Sequence, residues 1–161
     1  MNWIFTKPEA GELLIPAVES IIDAIIKYRG HGSMKNMTKH VKNHIFHYKL
    51  KWTISDKPRG GDALVLIHKL NKVVIKYNGV ICRPRSFPEK LVPTACLFKF
   101  GENKERNLRV QPLVSTTDYS IKKAYHELIR FQVNDRYDII GEDLHDGNIG
   151  RYKRQSVIFD W

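Results

Sequence analysis

Apolar positions near the amino terminus repeat with the period of a helix. Over residues 13–28 they fall at every third or fourth position, namely at 14, 18, 21, 22, 25 and 26. This spacing places them on one face of a helix. Pro16 suits the first helical turn, where its missing N–H is not needed, and Gly30 suits a stop. The opposite face mixes two acids with one lysine, so the pattern predicts an amphipathic helix that packs against a core rather than on a membrane surface.

The period changes at Ile45. From Phe46 to Ile54, apolar and polar residues alternate strictly, which is the pattern of a half-buried strand. On a continuous helix His40, His44 and His47 would lie near one face and invite a metal site, but a strand beginning at Ile45 breaks that geometry. We therefore expect the three histidines to belong to a basic, solvent-facing surface.

Four later segments have the composition of strands, being short, apolar and bounded by turn residues. They are residues 63–68, 73–77, 94–100 and 108–114. Polar turns join the first to the second and the third to the fourth. A further helical pattern over residues 119–133, with Thr117-Asp118 as its N-cap, predicts a second core helix. Helices combined with hairpins indicate an α+β fold with an antiparallel sheet.

The composition is that of a soluble globular domain. The chain has 161 residues and 42% hydrophobic content, which suits one domain with a sizeable core. The first residues lack a signal-peptide pattern and no apolar run approaches bilayer length, which predicts a cytoplasmic protein without membrane contact. Cys82 and Cys96 lack the spacing of a zinc or disulfide framework, so both are expected to be buried thiols.

The charge is strongly positive. Lysine and arginine number 27 against 17 acids, a formal net charge of +10, which favours polyanions or an acidic partner. A nucleoside triphosphate and a nucleic acid would both suit such a surface. Because no nucleic-acid recognition motif is present in the sequence, nucleic-acid binding stands as an alternative rather than as the first expectation.

The densest chemistry lies between Glu142 and the end of the sequence. Asp143 and Asn148 stand five positions apart, and Asp160 follows twelve later, after the apolar run Val157-Ile158-Phe159. In phosphoryl transfer an Asp accepts the proton of the attacking hydroxyl, while an Asn and a second Asp hold Mg²⁺, a hard cation that prefers oxygen ligands. A turn at residues 151–155 would close a hairpin and bring Asp160 back toward Asn148.

The segment Asp143-Leu144-His145-Asp146-Gly147-Asn148-Ile149, followed later by Asp160-Trp161, resembles a motif pair of the aminoglycoside/choline phosphotransferase branch of the protein-kinase-like superfamily. It is also similar to short bacteriophage kinases. The resemblance implies a minimal or truncated protein-kinase-like fold of the α+β class, with an antiparallel sheet, an N-terminal helix and a catalytic-loop hairpin. The implied cofactors are ATP and Mg²⁺.

The resemblance implies a role for each residue of the motif. Asp143 would orient and deprotonate the acceptor hydroxyl. Asn148 and Asp160 would hold Mg²⁺ against the phosphates, and His145 would brace the loop by hydrogen bonding. The family commonly has His-Gly just before the catalytic Asp, whereas this chain has Gly141-Glu142, which sets an extra carboxylate beside the proposed base.

Upstream segments follow the order of a kinase-like amino-terminal lobe, which is strand, glycine turn, strand, turn, strand. By this resemblance Gly60 and Gly61 would let backbone N–H groups approach the phosphates. Lys76, on the third strand, would reach the α and β phosphates. The implied organisation is a single domain in which a helical extension precedes a sheet lobe and then a helix with the catalytic loop, over residues 1–44, 45–114 and 115–161.

An adenine pocket and a glutamate partner for Lys76 are also implied. In the family a later strand leads into a hinge whose backbone binds adenine, which assigns Gln111 and Leu113 to the base pocket; a plain edge hairpin is the alternative. Prolines interrupt the segment where the glutamate-bearing helix is expected. The candidates are therefore Glu89, or Glu19 facing inward from the first predicted helix.

Three functions remain open from the sequence. The first is an ATP- and Mg²⁺-dependent phosphotransferase acting on a hydroxyl of an unidentified acceptor. A kinase continues beyond its metal-binding Asp with helices that bind the acceptor, whereas this sequence ends at Trp161, so the second is a kinase-like protein without turnover that binds and inhibits a partner protein. The third is a small basic nucleic-acid-binding protein. A homo-oligomer, in which a second copy covers an exposed face, is a further expectation.

Overall fold

The computed structural model describes residues 2–28, 34–55, 63–78, 91–98, 107–116 and 149–159. Within these ranges the protein is a mixed α+β structure with a mostly antiparallel sheet, which is the fold class expected from the sequence. The chain divides into two compact units. The first comprises Met1–Ile81 and Pro93–Gln111, and the second comprises Cys82–Val92 and Pro112–Trp161.

The first unit is built on a six-stranded sheet with two α-helices. Its strands are β1 Trp3–Phe5, β2 Thr53–Ile54, β3 Ala63–His68, β4 Val73–Asn78, β5 Ala95–Phe98 and β6 Asn107–Pro112. Its helices are α1 Pro16–Lys27 and α2 Met34–His47, preceded by a 3₁₀ helix at Pro8–Leu13. The strand order is β1-β5-β6-β4-β3-β2, which places β6 and β4 in the interior of the sheet.

The predicted amino-terminal helix is confirmed as α1. Pro16 is its first residue, and Val18, Ile21, Ile22 and Ile25 on its apolar face are buried in the core. The indole N–H of Trp52 donates a hydrogen bond of 3.2 Å to the carbonyl oxygen of Ala17. This bond ties the first turn of the helix to the segment that enters β2.

The strand predicted from Ile45 is wrong over most of its length. Helix α2 continues through Ile45 to His47, and only Thr53–Ile54 of the predicted strand pairs in the sheet. Phe46 and Tyr48, which the alternation assigned to a buried face, are 86% and 61% exposed. The alternation therefore came from exposed aromatic residues and not from a buried strand face.

Burial along α2 follows the helical period instead. Met37 and Val41 are fully buried, and Met34 and Ile45 pack partly against the same core. These four residues are spaced three, four and four apart, which places them on one helix face. The core that they join overrode the local strand pattern, because burying this face contributes more than the preference of aromatic residues for strands.

Helix α2 ends in a Schellman motif. The N–H of Leu50 donates to the carbonyl of Ile45 at 2.9 Å, and the N–H of Lys49 donates to that of Phe46 at 3.2 Å. Lys49 adopts the left-handed conformation, with φ of 52°, at the position that glycine usually occupies in this motif. Leu50 and Ile45 both pack against the core, which provides the apolar contact that commonly accompanies this cap.

The hairpin and the strand pair predicted downstream are confirmed. β3 and β4 are antiparallel with Leu66 opposite Ile75, and β5 and β6 are antiparallel with Cys96 opposite Arg109. β1, which the sequence did not predict, pairs with β5. Because β1 covers one side of β5 and β6 lies against β4, the β5–β6 pair is not an edge hairpin of the sheet.

The described part of the second unit centres on a second hairpin, formed by β7 Ile149–Tyr152 and β8 Gln155–Ile158. Its two-residue turn is Lys153-Arg154, and both residues have positive φ, 46° and 66°. Positive φ at both central positions is the geometry that matches the twist of a tight hairpin. The hairpin predicted at the end of the sequence and the buried run Val157-Ile158 are thereby confirmed.

Candidate functional site

Most of the predicted site lies outside the described residues. These positions are Gly60, Gly61, Asp143, His145, Asn148 and Asp160, together with Glu89, Cys82 and the helix expected at residues 119–133. The structure describes Lys76, Gln111 and Leu113. The roles assigned to all of these residues stay predictions. Next to the motif, the structure describes residues 149–159.

Lys76 lies on an interior strand of the first unit. It faces Val65 across the β3–β4 pair, and its side chain is only 9% exposed. The neighbouring residues Ile75 and Tyr77 belong to the hydrophobic core. Because side chains alternate along a strand, Lys76 projects from the sheet face opposite that core.

The same alternation on β6 gives this opposite face a polar character. Leu108 and Val110 point into the core, so Arg109 and Gln111 lie on the same sheet face as Lys76. Arg109 and Gln111 are both buried. Lys76 and Arg109 each have an interaction partner within the protein, as a buried charge requires. Two cations on one face of adjacent strands are chemically suited to phosphate oxygens.

Cys96 pairs with Arg109 across β5 and β6 and lies on the same polar face of the sheet. It is a free, buried cysteine, as expected from the sequence. Burial raises the pKa of the Cys96 thiol to about 12, against a smaller opposing effect of the Arg109 charge. The thiol is therefore protonated at neutral pH, which makes it a poor nucleophile.

The side chain of Gln111 has a structural hydrogen bond. Its Nε2 donates to Oγ1 of Thr94 at 3.1 Å, and the backbone N–H of Thr94 donates to Oγ1 of Thr6 at 2.8 Å. Gln111 is 1% exposed, whereas Leu113, just beyond β6, is 37% exposed. Of the two predicted base-pocket residues, only Leu113 presents its side chain to the surface.

The proposed inward glutamate is not where it was expected. Glu19 lies on the exposed side of α1, because Val18, Ile21 and Ile22 occupy the core side of the helix. The hypothesis that Glu19 faces inward to pair with Lys76 is therefore wrong.

In the second unit, Asn148 and Asp160 flank the β7–β8 hairpin in sequence. The hairpin pairs Ile149 with Ile158, the residue directly after Asn148 and the residue two before Asp160. Both isoleucines are buried, and the N–H of Val92 donates to the carbonyl of Ile158 at 2.9 Å. The open end of the hairpin is thus held in the core of its unit.

The turn end of the hairpin is held by a second contact. Ser115 and Arg151 exchange two backbone hydrogen bonds, of 2.8 and 3.1 Å. A Cβ atom added at Gly150 would lie 2.7 Å from Cγ2 of Val114 and 3.1 Å from the carbonyl oxygen of Ser115. Glycine at position 150 therefore permits the close approach of β7 to residues 114–115.

Three histidines do share helix α2, contrary to the strand prediction, yet their imidazoles face tyrosine rings. His40 lies 4.8 Å from the ring of Tyr28, and His44 and His47 lie 4.6 and 4.7 Å from that of Tyr48. Within the described ranges, no group of three or more His, Cys, Asp or Glu could hold a metal ion. A Mg²⁺ site, if formed by Asn148 and Asp160, would involve residues outside those ranges.

The surroundings of His44 lower its pKa. Burial lowers its pKa below the ordinary value of 6.5, and the charges of His40, His47 and Lys27 lower it further. Like-charged neighbours disfavour the protonated form for the same reason as desolvation does, since both make the added positive charge costly. His44 is therefore neutral at pH 7.

The basic surface expected around the histidines extends to the end of α2, where sequence reasoning missed two grooves and the exposure of Phe46. Phe46 and His47 border two open grooves, of about 700 and 420 Å³. The larger is also bordered by Lys42, Lys49 and Lys51. The sequence signal that could have revealed it is the absence of any acid between Asp23 and Asp56.

A comparison of the chain with protein-family models, with curated proteins and with solved structures finds no match. No helix in the described part of the chain is long and apolar enough to cross a bilayer.

Proposed function

We propose that the protein is a kinase-like phosphotransferase that uses ATP and Mg²⁺ to phosphorylate a hydroxyl group. The observation that carries the proposal is the position of Lys76. Lys76 is buried, and its strand lies in the interior of the sheet. This strand is the third one in the order strand, glycine segment, strand, turn, strand. A strand in the interior of a sheet fixes the backbone from which a phosphate-binding lysine would extend.

The division of the chain supports the same proposal. One of the boundaries between the two units falls between Gln111 and Pro112. The resemblance in the sequence assigns the adenine-binding hinge to residues 111–114, so the hinge and the boundary between the units coincide. Leu113 follows Pro112, which has no N–H, and is therefore the first residue after β6 whose backbone N–H could meet a base.

The hairpin of the second unit supports the assignment of the metal ligands. Asn148 immediately precedes β7, and Asp160 follows β8 after one intervening residue. Since Ile149 pairs with Ile158, the two strand ends next to Asn148 and Asp160 lie side by side, which would suit a single cation held by both residues. Bound Mg²⁺ would neutralise charge on the transferring phosphoryl group.

In this proposal each of the site residues has its own role in the reaction. Lys76 would bind the phosphates and neutralise their charge, while Asp143 would accept the proton of the acceptor hydroxyl. His145 would position the loop that carries Asp143. Arg109, on the same sheet face as Lys76, adds a second positive charge to the phosphate side of the sheet.

Calorimetric titration with ATP tests the proposal, run with Mg²⁺ and again with EDTA. We expect saturable, Mg²⁺-dependent binding to the wild type, lost in Asp160→Ala and weakened in Lys76→Met. Asp23→Ala and Lys69→Met are the matched controls, because both residues are exposed in the first unit and neither belongs to the proposed site. Far-ultraviolet circular dichroism of each variant verifies folding.

Phosphoryl transfer is then measured as ADP formation dependent on an added acceptor pool. ATP binding without transfer to any acceptor would leave the kinase-like partner-binding protein as the function. Absence of ATP binding under every condition, in a folded wild type, would overturn the nucleotide site altogether.

A further inference from the structure

Helix α2 and the segments on either side of it carry basic residues and no acidic ones. No Asp or Glu occurs from Ala24 to Ser55. The same stretch contains Lys27, Arg29, Lys35, Lys39, Lys42, Lys49 and Lys51. The lysines among them are exposed, and no acidic residue lies next to them in the sequence to offset their charge.

Two aromatic rings are exposed within this cationic surface. Phe46 is 86% exposed and Tyr48 is 61% exposed. A single exposed apolar residue is ordinary on a protein surface. Phe46 differs because it borders both grooves at the end of α2, one of them also lined by Lys42 and Lys51. An open aromatic face beside lysines is the combination that binds stacked bases and phosphates together.

The ring of Tyr48 is held in place by its surroundings. His47 meets Tyr48 edge-on at an interplanar angle of 87°, and His44 contacts the same ring. The Schellman hydrogen bonds from Lys49 and Leu50 fix the backbone on either side of Tyr48. The aromatic positions therefore lie on a rigid helix end, which lowers the entropy lost when a ligand binds.

The chemistry of the surface selects among possible partners. A membrane surface would require the apolar face of α2, but Met37 and Val41 on that face are buried in the core. An acidic peptide would use the lysines and leave the exposed face of Phe46 without a partner. A double helix buries the faces of its bases, whereas a single strand offers both phosphates and free base faces.

We propose that the surface formed by Lys42, Phe46, His47, Tyr48, Lys49 and Lys51 binds single-stranded nucleic acid. Phe46 stacks on a base, and the lysines contact the flanking phosphates. This site is separate from the proposed phosphotransferase residues and does not depend on them, since it lies on α2 and the segment that follows it.

Fluorescence anisotropy with a labelled single-stranded oligonucleotide of mixed sequence tests the proposal, at a length of about 12 nucleotides. We expect the logarithm of the binding constant to fall linearly with the logarithm of salt concentration, by about 0.7 per phosphate contacted. Phe46→Ala should raise Kd about fivefold or more, the loss expected when one base stack is removed. Phe46→Trp should retain binding, because it keeps an aromatic face.

Controls separate stacking from plain charge attraction. Leu70→Ala removes an equally exposed apolar residue, 81% exposed, from the β3–β4 turn, and it should leave Kd unchanged. Lys42→Gln should weaken binding and reduce the salt slope by about one contact, whereas Lys69→Gln in the same turn should not.

Competition identifies the ligand class. An unlabelled single strand should displace the probe better than a duplex, inorganic polyphosphate or polyglutamate of equal charge. Equal displacement by polyphosphate or duplex, together with an unchanged Kd for Phe46→Ala, would overturn the proposal in favour of unspecific polyanion attraction. Stronger displacement by polyglutamate would overturn it in favour of an acidic protein partner.

Discussion

Gly150 and Val114 are so close that a Cβ atom on the glycine would lie 2.7 Å from Cγ2 of the valine. Real Cβ contacts are essentially never this short, and the same Cβ atom would also lie 3.1 Å from the carbonyl oxygen of Ser115. The hairpin that Asn148 and Asp160 flank therefore depends on the absence of a side chain at residue 150.

Gly150→Ala should accordingly destabilise the protein by about 1–3 kcal/mol, the usual cost of overpacking. Chemical denaturation of the variant measures the change in the free energy of unfolding. Gly11→Ala is the control, because its added Cβ would meet only Phe5 at an ordinary 3.9 Å. Equal stability of the two variants would show that residues 114–115 yield to the added methyl group.

Thr94→Val should destabilise the first unit by about 1–3 kcal/mol. The substitution keeps the shape of the side chain but removes the acceptor of the Gln111 amide, which is buried, and a buried donor without an acceptor carries its full desolvation penalty. Ser20→Ala removes an exposed side-chain hydrogen bond of 3.0 Å to Ala17 and should cost far less. A Thr94→Val effect as small as that of Ser20→Ala would contradict the role assigned to this bond.

The stability of the wild type should fall as the pH decreases below 6.5, in part because of His44. Its pKa in the folded protein is lowered by burial and by neighbouring positive groups, so the unfolded chain takes up the proton at a higher pH than the folded protein does. The folded state is then at a disadvantage as the pH drops from 6.5 toward the folded pKa. His44→Gln should flatten the dependence of the melting temperature on pH in this window, whereas Asn43→Ala, a neighbouring exposed position, should leave it unaltered.

Lys49→Gly should stabilise the protein by up to about 1 kcal/mol. Lys49 caps α2 with φ of 52°, a conformation that is strained for any residue with a Cβ and free of strain for glycine. Lys51→Gly removes the same charge at a position without positive φ, and it should be neutral or destabilising. Equal effects of the two substitutions in thermal unfolding would mean that charge, and not backbone strain, decides the result.

The helix α1 and the β3–β4 hairpin could be predicted from the sequence because their periodic patterns coincide with their burial. The end of α2 could not. Its buried positions, such as Met37 and Val41, follow the helical period, but the exposed Phe46 and Tyr48 fall at alternate positions and imitate a strand. The local sequence pattern is the same whether such an aromatic side chain is buried or exposed, so it cannot distinguish the two cases.

Strand β1 could not be predicted from the sequence because it forms by long-range pairing. Trp3–Phe5 is too short for a periodic signal, and its place beside β5 depends on residues 95–97. Of the candidate site, the sequence predicted a lysine on the third strand of the glycine-turn segment and a hairpin between the proposed metal ligands. It did not predict that Glu19 faces outward or that the side chain of Gln111 binds Thr94.

The first unit is assembled from two separate stretches of chain, Met1–Ile81 and Pro93–Gln111. During synthesis β1 therefore emerges long before its partner β5. Strand β4 likewise emerges before its partner β6. Contacts that join distant parts of the chain form slowly, because a large loop must close first. A nascent chain that has not reached β6 exposes the edge of β4, and this interval is when it is most vulnerable to pairing with another chain.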